Sequence, residues 1–140
     1  MSKTIKHWTF PVPSTSIYSG VQLLYPGANA ILLFDYYNEN NTDTVIYNSS
    51  IKFEMVRAFK HHSEGFKVIN EAYDNLIEIM DSEWVNQLKT INRHWNMHKL
   101  YKLRHFAIYL DSNGLFEFVA NDFKVCKKNV GKLEEIDDEF

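Results

Sequence analysis

Residues 104–120 read RHFAIYLDSNGLFEFVA. In this stretch Asn113-Gly114 separates two apolar runs, Arg104–Leu110 and Leu115–Ala120, which are rich in strand-forming residues. Asn and Gly tolerate the positive φ angles that a tight turn between antiparallel strands requires. The stretch therefore predicts a β-hairpin, and the rest of the fold is worked out from it.

The loop length decides which side chains share a face of this hairpin. A two-residue and a four-residue loop give the same division. One face then holds His105, Ala107, Tyr109, Phe116, Phe118 and Ala120, and the other holds Phe106, Ile108, Leu110, Glu117 and Val119. Because both faces are mostly apolar, we expect the hairpin inside a sheet rather than at its rim. This division also separates His105 from Glu117, which disfavours a site that uses both.

Further strands and one helix are expected on either side of the hairpin. Leu76–Met80 lies in a segment, Phe66–Met80, that fits a helix as well as a strand; we expect helix or turn through about Tyr73 and then strand. Asp81 or Ser82 is a suitable N-cap for a helix running to about Met97. The other predicted strands are Ile5–Phe10 at a sheet edge before Pro11, Ala30–Tyr37, Thr44–Tyr47 and Ile51–Lys60.

Together these elements predict an α+β fold. An antiparallel sheet of about five or six strands would carry one main helix packed on one face. We expect a single domain over residues 1–131, followed by an acidic C-terminal tail over 132–140.

Composition sets the broad class of the protein. With 140 residues, 45% of them hydrophobic and 24% charged, the chain has the balance of one globular domain. No apolar run approaches the roughly 20 residues that cross a bilayer, so no membrane association is expected. A single cysteine, Cys126, and an N-terminus without a leader pattern predict a cytoplasmic location.

Charges are segregated along the second half of the chain. Five acids lie within 71–83, and five bases lie within 89–105. In the basic segment, bases and aromatics alternate, which is the composition of a surface for single-stranded nucleic acid or nucleotides. Its candidate binding residues are Trp95, Lys99, Tyr101, Lys102 and Arg104. An ordinary helix with an apolar stripe and a solvated back has the same composition, and Trp95 extends such a stripe. The acidic tail could also pair with this segment and mask it.

Arg57 and Glu117 are charged residues on strand faces that are otherwise apolar. A lone buried charge is costly, so each needs a partner or access to water. The favoured interpretation is a position at a sheet end that reaches water. The alternatives are a mutual ion pair or an acid/base role in an active site.

No motif in the sequence predicts a metal, a cofactor or a set of catalytic residues. His94 and His98 have helical i, i+4 spacing, but HExxH is absent and a metal site needs further ligands. The chain also lacks GxSxG, a P-loop and GxGxxG. Cys126 is expected to be a small buried side chain rather than a reactive thiol.

The segment from Tyr73 to Ala120 resembles a pattern found in small uncharacterised bacterial proteins, some of them immunity-type partners of bacterial toxins. The resemblance is carried by Tyr73, Asp74, Leu76, Glu78, Asp81, Ser82, Trp84, Leu88, Arg104, His105, Phe106, Ile108, Tyr109, Asp111, Ser112, Gly114, Glu117 and Ala120. It implies a strand over Leu76–Met80 and no catalytic residues.

The leading functional hypothesis is a non-enzymatic, cytoplasmic protein-binding module, whose sharpest form is an immunity-type protein that neutralises a toxin. The second hypothesis is a nucleic-acid or nucleotide binder that uses the basic segment, 89–105. The third is a small enzyme with a carboxylate/histidine site, Glu117 with a histidine such as His105.

Overall fold

The computed structural model describes residues 3–38, 45–93 and 102–133. These residues form ten strands and one α-helix. The elements are β1 (Thr4–Thr9), β2 (Ile17–Leu24), β3 (Ala30–Tyr37), β4 (Ile46–Glu54), β5 (Ala58–His62), β6 (Asn75–Ile79), α1 (Glu83–Ile91), β7 (Arg104–Leu110), β8 (Gly114–Ala120), β9 (Asp122–Val125) and β10 (Asn129–Val130).

The strands form two antiparallel sheets of five strands each. The first sheet has the order β1-β6-β7-β8-β5. In the second sheet β2, β3 and β4 follow one another, and β9 and β10 both pair with the free side of β4. The expected α+β class holds in a coarse sense, since the fold is mostly β with a single helix in the described part. The expectation of one sheet is wrong.

The two sheets pack face to face around the main core. Phe53 of the second sheet stacks on Phe118 of the first, with ring centroids 4.0 Å apart and planes 15° apart. Leu32 and Phe34 meet Phe106 in the same core, and all are fully buried. Burial of each such side chain contributes about 1.5–3 kcal/mol. The larger of the two hydrophobic cores therefore lies between the sheets.

The predicted hairpin is β7–β8, and it occupies the interior of the first sheet. β7 lies between β6 and β8, and β8 lies between β7 and β5. The prediction of an interior hairpin is confirmed, as are the strand over Ala30–Tyr37 and the edge position of β1. Gly114 has φ +93°, and an added Cβ would collide with the carbonyl oxygen of His62, so this position requires glycine.

The predicted continuous strand over Ile51–Lys60 is divided between the two sheets. Met55 has φ +54°, a left-handed conformation that ends β4, and the chain re-enters as β5 in the first sheet. Arg57 lies in this crossover and is exposed, and its backbone N–H donates to the Val119 carbonyl at 2.8 Å. The placement of Arg57 on an apolar strand face is therefore wrong, because the strand breaks at Met55, whereas the expectation that Arg57 reaches water is confirmed.

The outer face of the first sheet is covered by α1 and by the connection from Ser63 to Asp74. A short 3-10 turn over Asn70–Ala72 precedes β6, which confirms the expected turn followed by a strand. Ala72 packs there in a second, smaller core with Ile77, Ala107, Tyr109 and Leu115. Ser82 caps α1 as predicted, but the helix ends at Ile91; residues 94–97 lie outside the described part.

The C-terminal region stays attached to the second sheet as far as Leu133. The buried Asp35 carboxylate accepts the Leu133 backbone N–H at 2.9 Å, and Leu133 itself is 6% exposed. The second residue of the tail predicted over 132–140 is thus anchored, and positions 134–140 lie outside the described residues. Within the described part, no helix has both the length and the apolar character needed to span a bilayer.

Candidate functional site

His105 and Glu117 lie side by side on the outer face of the first sheet. The hairpin loop has three residues, Asp111–Asn113, because Leu110 pairs with Gly114. A shift of one residue moves a strand's side chains to the opposite face. The expectation that His105 and Glu117 occupy opposite faces is therefore wrong, since it assumed a loop with an even number of residues.

A chain of hydrogen bonds runs from Glu117 through His105 to Ser82. His105 Nε2 lies 2.9 Å from Glu117 Oε1, and His105 Nδ1 lies 2.7 Å from Ser82 Oγ. An ionised carboxylate only accepts, so Nε2 carries the hydrogen of this contact. In the neutral ring Nδ1 is then the acceptor, and the Ser82 hydroxyl donates to it. The two contacts fix both the orientation and the tautomer of the imidazole.

Ser82 is placed by the start of α1. It is the N-cap residue, and its Oγ accepts the Val85 backbone N–H at 3.2 Å. Ser is a favoured N-cap because its oxygen satisfies a backbone donor of the first turn. One hydroxyl therefore closes the helix and also contacts the imidazole of β7. This double contact ties α1 to the first sheet at His105.

Glu117 keeps its charge although it is 1% exposed. Its second oxygen, Oε2, accepts Lys67 Nζ at 3.2 Å. Burial alone would raise the pKa of Glu117. The hydrogen bonds from His105 and Lys67, with the positive charges of Lys67 and Lys60, outweigh burial and hold this pKa below its ordinary value. The site therefore holds a buried carboxylate anion.

These groups line a cavity of about 370 Å³ between α1, the connection before β6 and the first sheet; we call it the site cavity. Its polar wall consists of Lys60, Lys67, Ser82, Glu83, Gln87, His105 and Glu117, and Trp84, Ile69 and Ile79 complete it. Lys60 Nζ lies 4.2 Å from the centroid of the Trp84 ring. The same ring meets the His105 ring edge to face, with centroids 5.1 Å apart. Trp84 thus connects the imidazole with the Lys60 ammonium.

A second buried glutamate lies on the inner side of the same sheet. Both carboxylate oxygens of Glu78 accept hydrogen bonds from Arg104. Nη2 donates to Oε1 at 2.8 Å, and Nε donates to Oε2 at 3.1 Å. His7 Nε2 lies 2.8 Å from Oε1, and Asp122 binds Arg104 Nη1 at 3.2 Å. Burial would raise the pKa of Glu78, but the bonds and charges of Arg104 and His7 lower it overall.

The predicted nucleic-acid residues are not brought together in the described part of the chain. Arg104 is held by Glu78 and Asp122, so its guanidinium is already engaged. Lys102 is exposed, and its backbone N–H donates to Asn121 Oδ1 at 3.1 Å. Trp95, Lys99 and Tyr101 lie outside the described residues.

Arg57 and Glu117, the two charged residues that the sequence places on apolar strand faces, lie in different environments. Arg57 is exposed in the crossover between sheets, whereas Glu117 is buried in the first sheet. The two carboxylate oxygens of Glu117 bind His105 and Lys67. The alternative of an Arg57–Glu117 ion pair therefore does not account for the burial of Glu117. The favoured interpretation, a position that reaches water, is wrong for Glu117 and holds for Arg57.

The described residues contain no group of three or more His, Cys, Asp or Glu side chains arranged to hold a metal ion. His94 and His98, the pair with helical spacing, fall outside the described ranges. Cys126 is partly buried after β9, and its backbone N–H donates to the Ser50 carbonyl at 2.8 Å.

Lys60, Lys67, Ser82 and Trp84 were not expected to share a site with His105. Ser82 was recognised only as a cap, and the two lysines have no local motif. The signal in the sequence is Gly114, because a three-residue hairpin loop followed by a glycine at positive φ is a common turn, and this turn places His105 beside Glu117.

Comparison of the chain with protein-family models, with curated proteins and with solved structures gives no match.

Proposed function

We propose that this protein binds a small anionic molecule in the site cavity. The proposal is supported by one observation: two lysines and the imidazole of His105 line a space of about 370 Å³ beside the buried Glu117. This volume lies in the range of small-molecule sites, roughly 300–1,000 Å³. Polar groups that converge on such a cavity fix the orientation of a ligand.

Lys60 gives the cavity its preference for an anion. Lys67 is already paired with Glu117, at 3.2 Å. Among the described residues, Lys60 has no ion pair with a carboxylate, and its ammonium lies 4.2 Å from the Trp84 ring centroid. A ring contact holds the ammonium but accepts none of its three N–H bonds in the ordinary way. A carboxylate or phosphate group of a ligand would take them.

The proposal is tested by titrating the protein with inorganic phosphate, acetate and benzoate. Binding would be followed by the melting temperature and by tryptophan fluorescence, since Trp84 lines the cavity. We expect saturable stabilisation by at least one of these anions. We also expect at least a tenfold weaker affinity in Lys60→Met, which keeps the aliphatic stem but removes the charge.

Lys128→Met is the matched control. Lys128 Nζ lies 4.5 Å from the Tyr47 ring centroid, so this variant also removes one charge and one contact with a ring, but on the second sheet. It should bind as the unaltered chain does. Equal weakening in both lysine variants, or no saturable binding of any anion, would overturn the proposal.

A second candidate function is protein binding through the connection that borders the site cavity. It is supported by Phe66 and Val68, which are 81% and 52% exposed. Exposed apolar side chains close together are typical of interaction surfaces. If this function holds, Phe66→Ser should lose a partner that the unaltered chain captures from host extract, while Val130→Ser, on the second sheet, retains it.

The toxin-neutralising role stays a prediction of the sequence resemblance, and the cytoplasmic location stays a prediction of the sequence. Nucleic-acid binding also stays a prediction, because three of its five residues, Trp95, Lys99 and Tyr101, fall outside the described part. Loss of a captured protein toxin in Phe66→Ser would support the first of these roles.

A further inference from the structure

We propose that Ser82 is a nucleophile that takes the acyl group of a small ester bound in the site cavity. This inference rests on the binding role proposed above, because it places the substrate in the same cavity. It adds a covalent step, and it assigns His105 as the base.

The hydrogen-bond chain supplies the groups that an activated serine needs. With the imidazole neutral and its hydrogen on Nε2, Ser82 Oγ donates to His105 Nδ1 at 2.7 Å, and His105 Nε2 donates to Glu117 Oε1 at 2.9 Å. A hydroxyl oxygen has two lone pairs. The Val85 N–H occupies one of them at 3.2 Å, and the other is left for an electrophile. The nucleophile is thus within hydrogen-bond reach of the base, and the base is within hydrogen-bond reach of the orienting carboxylate.

Capping of α1 does not explain this arrangement. A serine N-cap needs only an oxygen that accepts a backbone N–H, and water or any polar group can take its hydrogen. Here the hydroxyl points to an imidazole backed by a carboxylate that is 1% exposed. Burial of a charged group is costly, and apolar residues would fill the space at a lower cost. The cost is explained if the imidazole works as a base.

The reaction follows the ordinary course of acyl transfer. Ser82 Oγ forms a bond to the ester carbonyl carbon, and its proton moves to His105 Nδ1. The C–O bond to the alcohol then breaks, and the alcohol takes that proton from Nδ1. Water, with its proton passing to Nδ1, attacks the acyl-serine and releases the carboxylic acid, after which the proton returns to Ser82 Oγ.

The charges around the cavity suit this course. Glu117 stabilises the imidazolium that forms when His105 accepts the proton. The ammonium group of Lys67 is in the cavity wall, where it offsets the negative charge that develops on the carbonyl oxygen. Lys60 favours an ester with a second, anionic group. The substrate class is therefore a small ester of a dicarboxylic acid.

The test uses the full chain and two chromogenic esters, p-nitrophenyl acetate and the mono-p-nitrophenyl ester of glutaric acid. We expect a burst of nitrophenol from the glutarate ester, with one acyl group located on Ser82 by mass spectrometry of peptides. His105→Gln should slow this acylation by at least about 100-fold, the range for loss of a general base. The acetate ester should react more slowly than the glutarate ester.

Variants at Ser82 separate its two roles. Ser82→Asp keeps a good N-cap while it removes the nucleophile, so it should fold and remain unacylated. Ser49→Ala is the control, because Ser49 is a buried serine of the second sheet whose hydroxyl donates to the Cys126 carbonyl. It should be acylated at the rate of the unaltered chain.

Glu117 is a positioning residue in this scheme. Glu117→Gln should lower the acylation rate at saturating ester without weakening the binding of whichever of inorganic phosphate, acetate and benzoate binds the unaltered chain. A loss caused only by disturbed folding would lower both.

The experiments distinguish failure of the Ser82 nucleophile from failure of anion binding in the site cavity. Acylation scattered over lysines, or acylation that persists in Ser82→Asp, overturns the nucleophile even if phosphate still binds. Acylation of Ser82 at equal rates by both esters keeps the nucleophile but overturns the anion preference given to Lys60.

Discussion

Glu78 on β6 and Glu117 on β8 flank β7 and point to opposite faces of the first sheet. Consecutive residues of β7 contact them: Arg104 binds Glu78 on the inner side, and His105 binds Glu117 on the outer side. This follows from the alternation of side chains along a strand. Two neighbouring residues thus bind two buried carboxylates on opposite faces of the sheet.

The partners of the two glutamates differ in kind. Arg104 engages both oxygens of Glu78 with a planar fork that stays protonated near neutral pH and so cannot act as a base. Glu117 shares its oxygens between the imidazole of His105 and the flexible ammonium of Lys67. Only the second cluster lines the site cavity and continues to a hydroxyl. The pKa is lowered at both glutamates, so electrostatics alone does not distinguish a structural cluster from a chemical one.

The largest expected effect comes from breaking the inner cluster. Arg104→Ala leaves Glu78 with His7 as its hydrogen-bond partner, and we expect the free energy of unfolding to fall by about 3–5 kcal/mol. Urea denaturation measures this loss. Asp122→Asn is the control, since it removes only the exposed partner of Arg104 and should cost less than about 1 kcal/mol. Equal losses in the two variants would show that the fork to Glu78 is not structural.

Replacing the carboxylate of the outer cluster should have a smaller effect. Glu117→Gln keeps the shape of the side chain but removes the charged acceptor of Lys67, and we expect a loss of about 1–3 kcal/mol. The exposed Glu71 gives the matched control, because Glu71→Gln should change stability by less than about 0.5 kcal/mol. A loss in Glu117→Gln no larger than in this control would contradict the description of Glu117 as a buried, paired charge.

The sequence predicts much of the fold but little of this contrast. The hairpin, β3, β6 and the cap at Ser82 follow from local signals: a turn pair, apolar runs and an N-cap residue. The division of Ile51–Lys60 between sheets does not, because it depends on a positive φ at Met55, a residue that rarely adopts it.

The candidate site depends on whether the loop between β7 and β8 has an odd or an even number of residues. With a two- or four-residue loop His105 and Glu117 are separated, and with the observed three-residue loop they are hydrogen-bonded. The sequence predicts both residues as a candidate carboxylate/histidine site, but its assignment of the hairpin faces disfavours their contact. Lys67 and Ser82 join them through tertiary packing over 50 and 23 positions of sequence, and no local pattern encodes such contacts.

Lowering the pH should reduce the free energy of unfolding through both Glu78 and Glu117. A carboxyl group whose pKa is lower in the folded state stabilises the fold at pH values above its ordinary value of 4.5, and this stabilisation is lost as the pH falls through the folded value. The free energy of unfolding should therefore decline from pH 5 to pH 3. The decline should be shallower in Glu78→Gln and in Glu117→Gln, as measured by urea denaturation at each pH. Unchanged slopes in both variants would contradict the lowered pKa values.

The smallest expected loss of stability is that of Lys67→Met, and it tests directly whether the Glu78 and Glu117 clusters differ. Lys67→Met removes an ammonium whose side chain is 38% exposed, so solvent already screens its attraction to Glu117, and Glu117 keeps its bond from His105. We expect a loss of less than about 1 kcal/mol by urea denaturation, against the several expected for Arg104→Ala. Glu117 would then tolerate the loss of one of its partners. A group whose partner turns to a ligand when the ligand binds needs this tolerance. A loss in Lys67→Met as large as in Arg104→Ala would make Lys67 as structural as Arg104, and the two clusters would then differ only in the face of the sheet that they occupy.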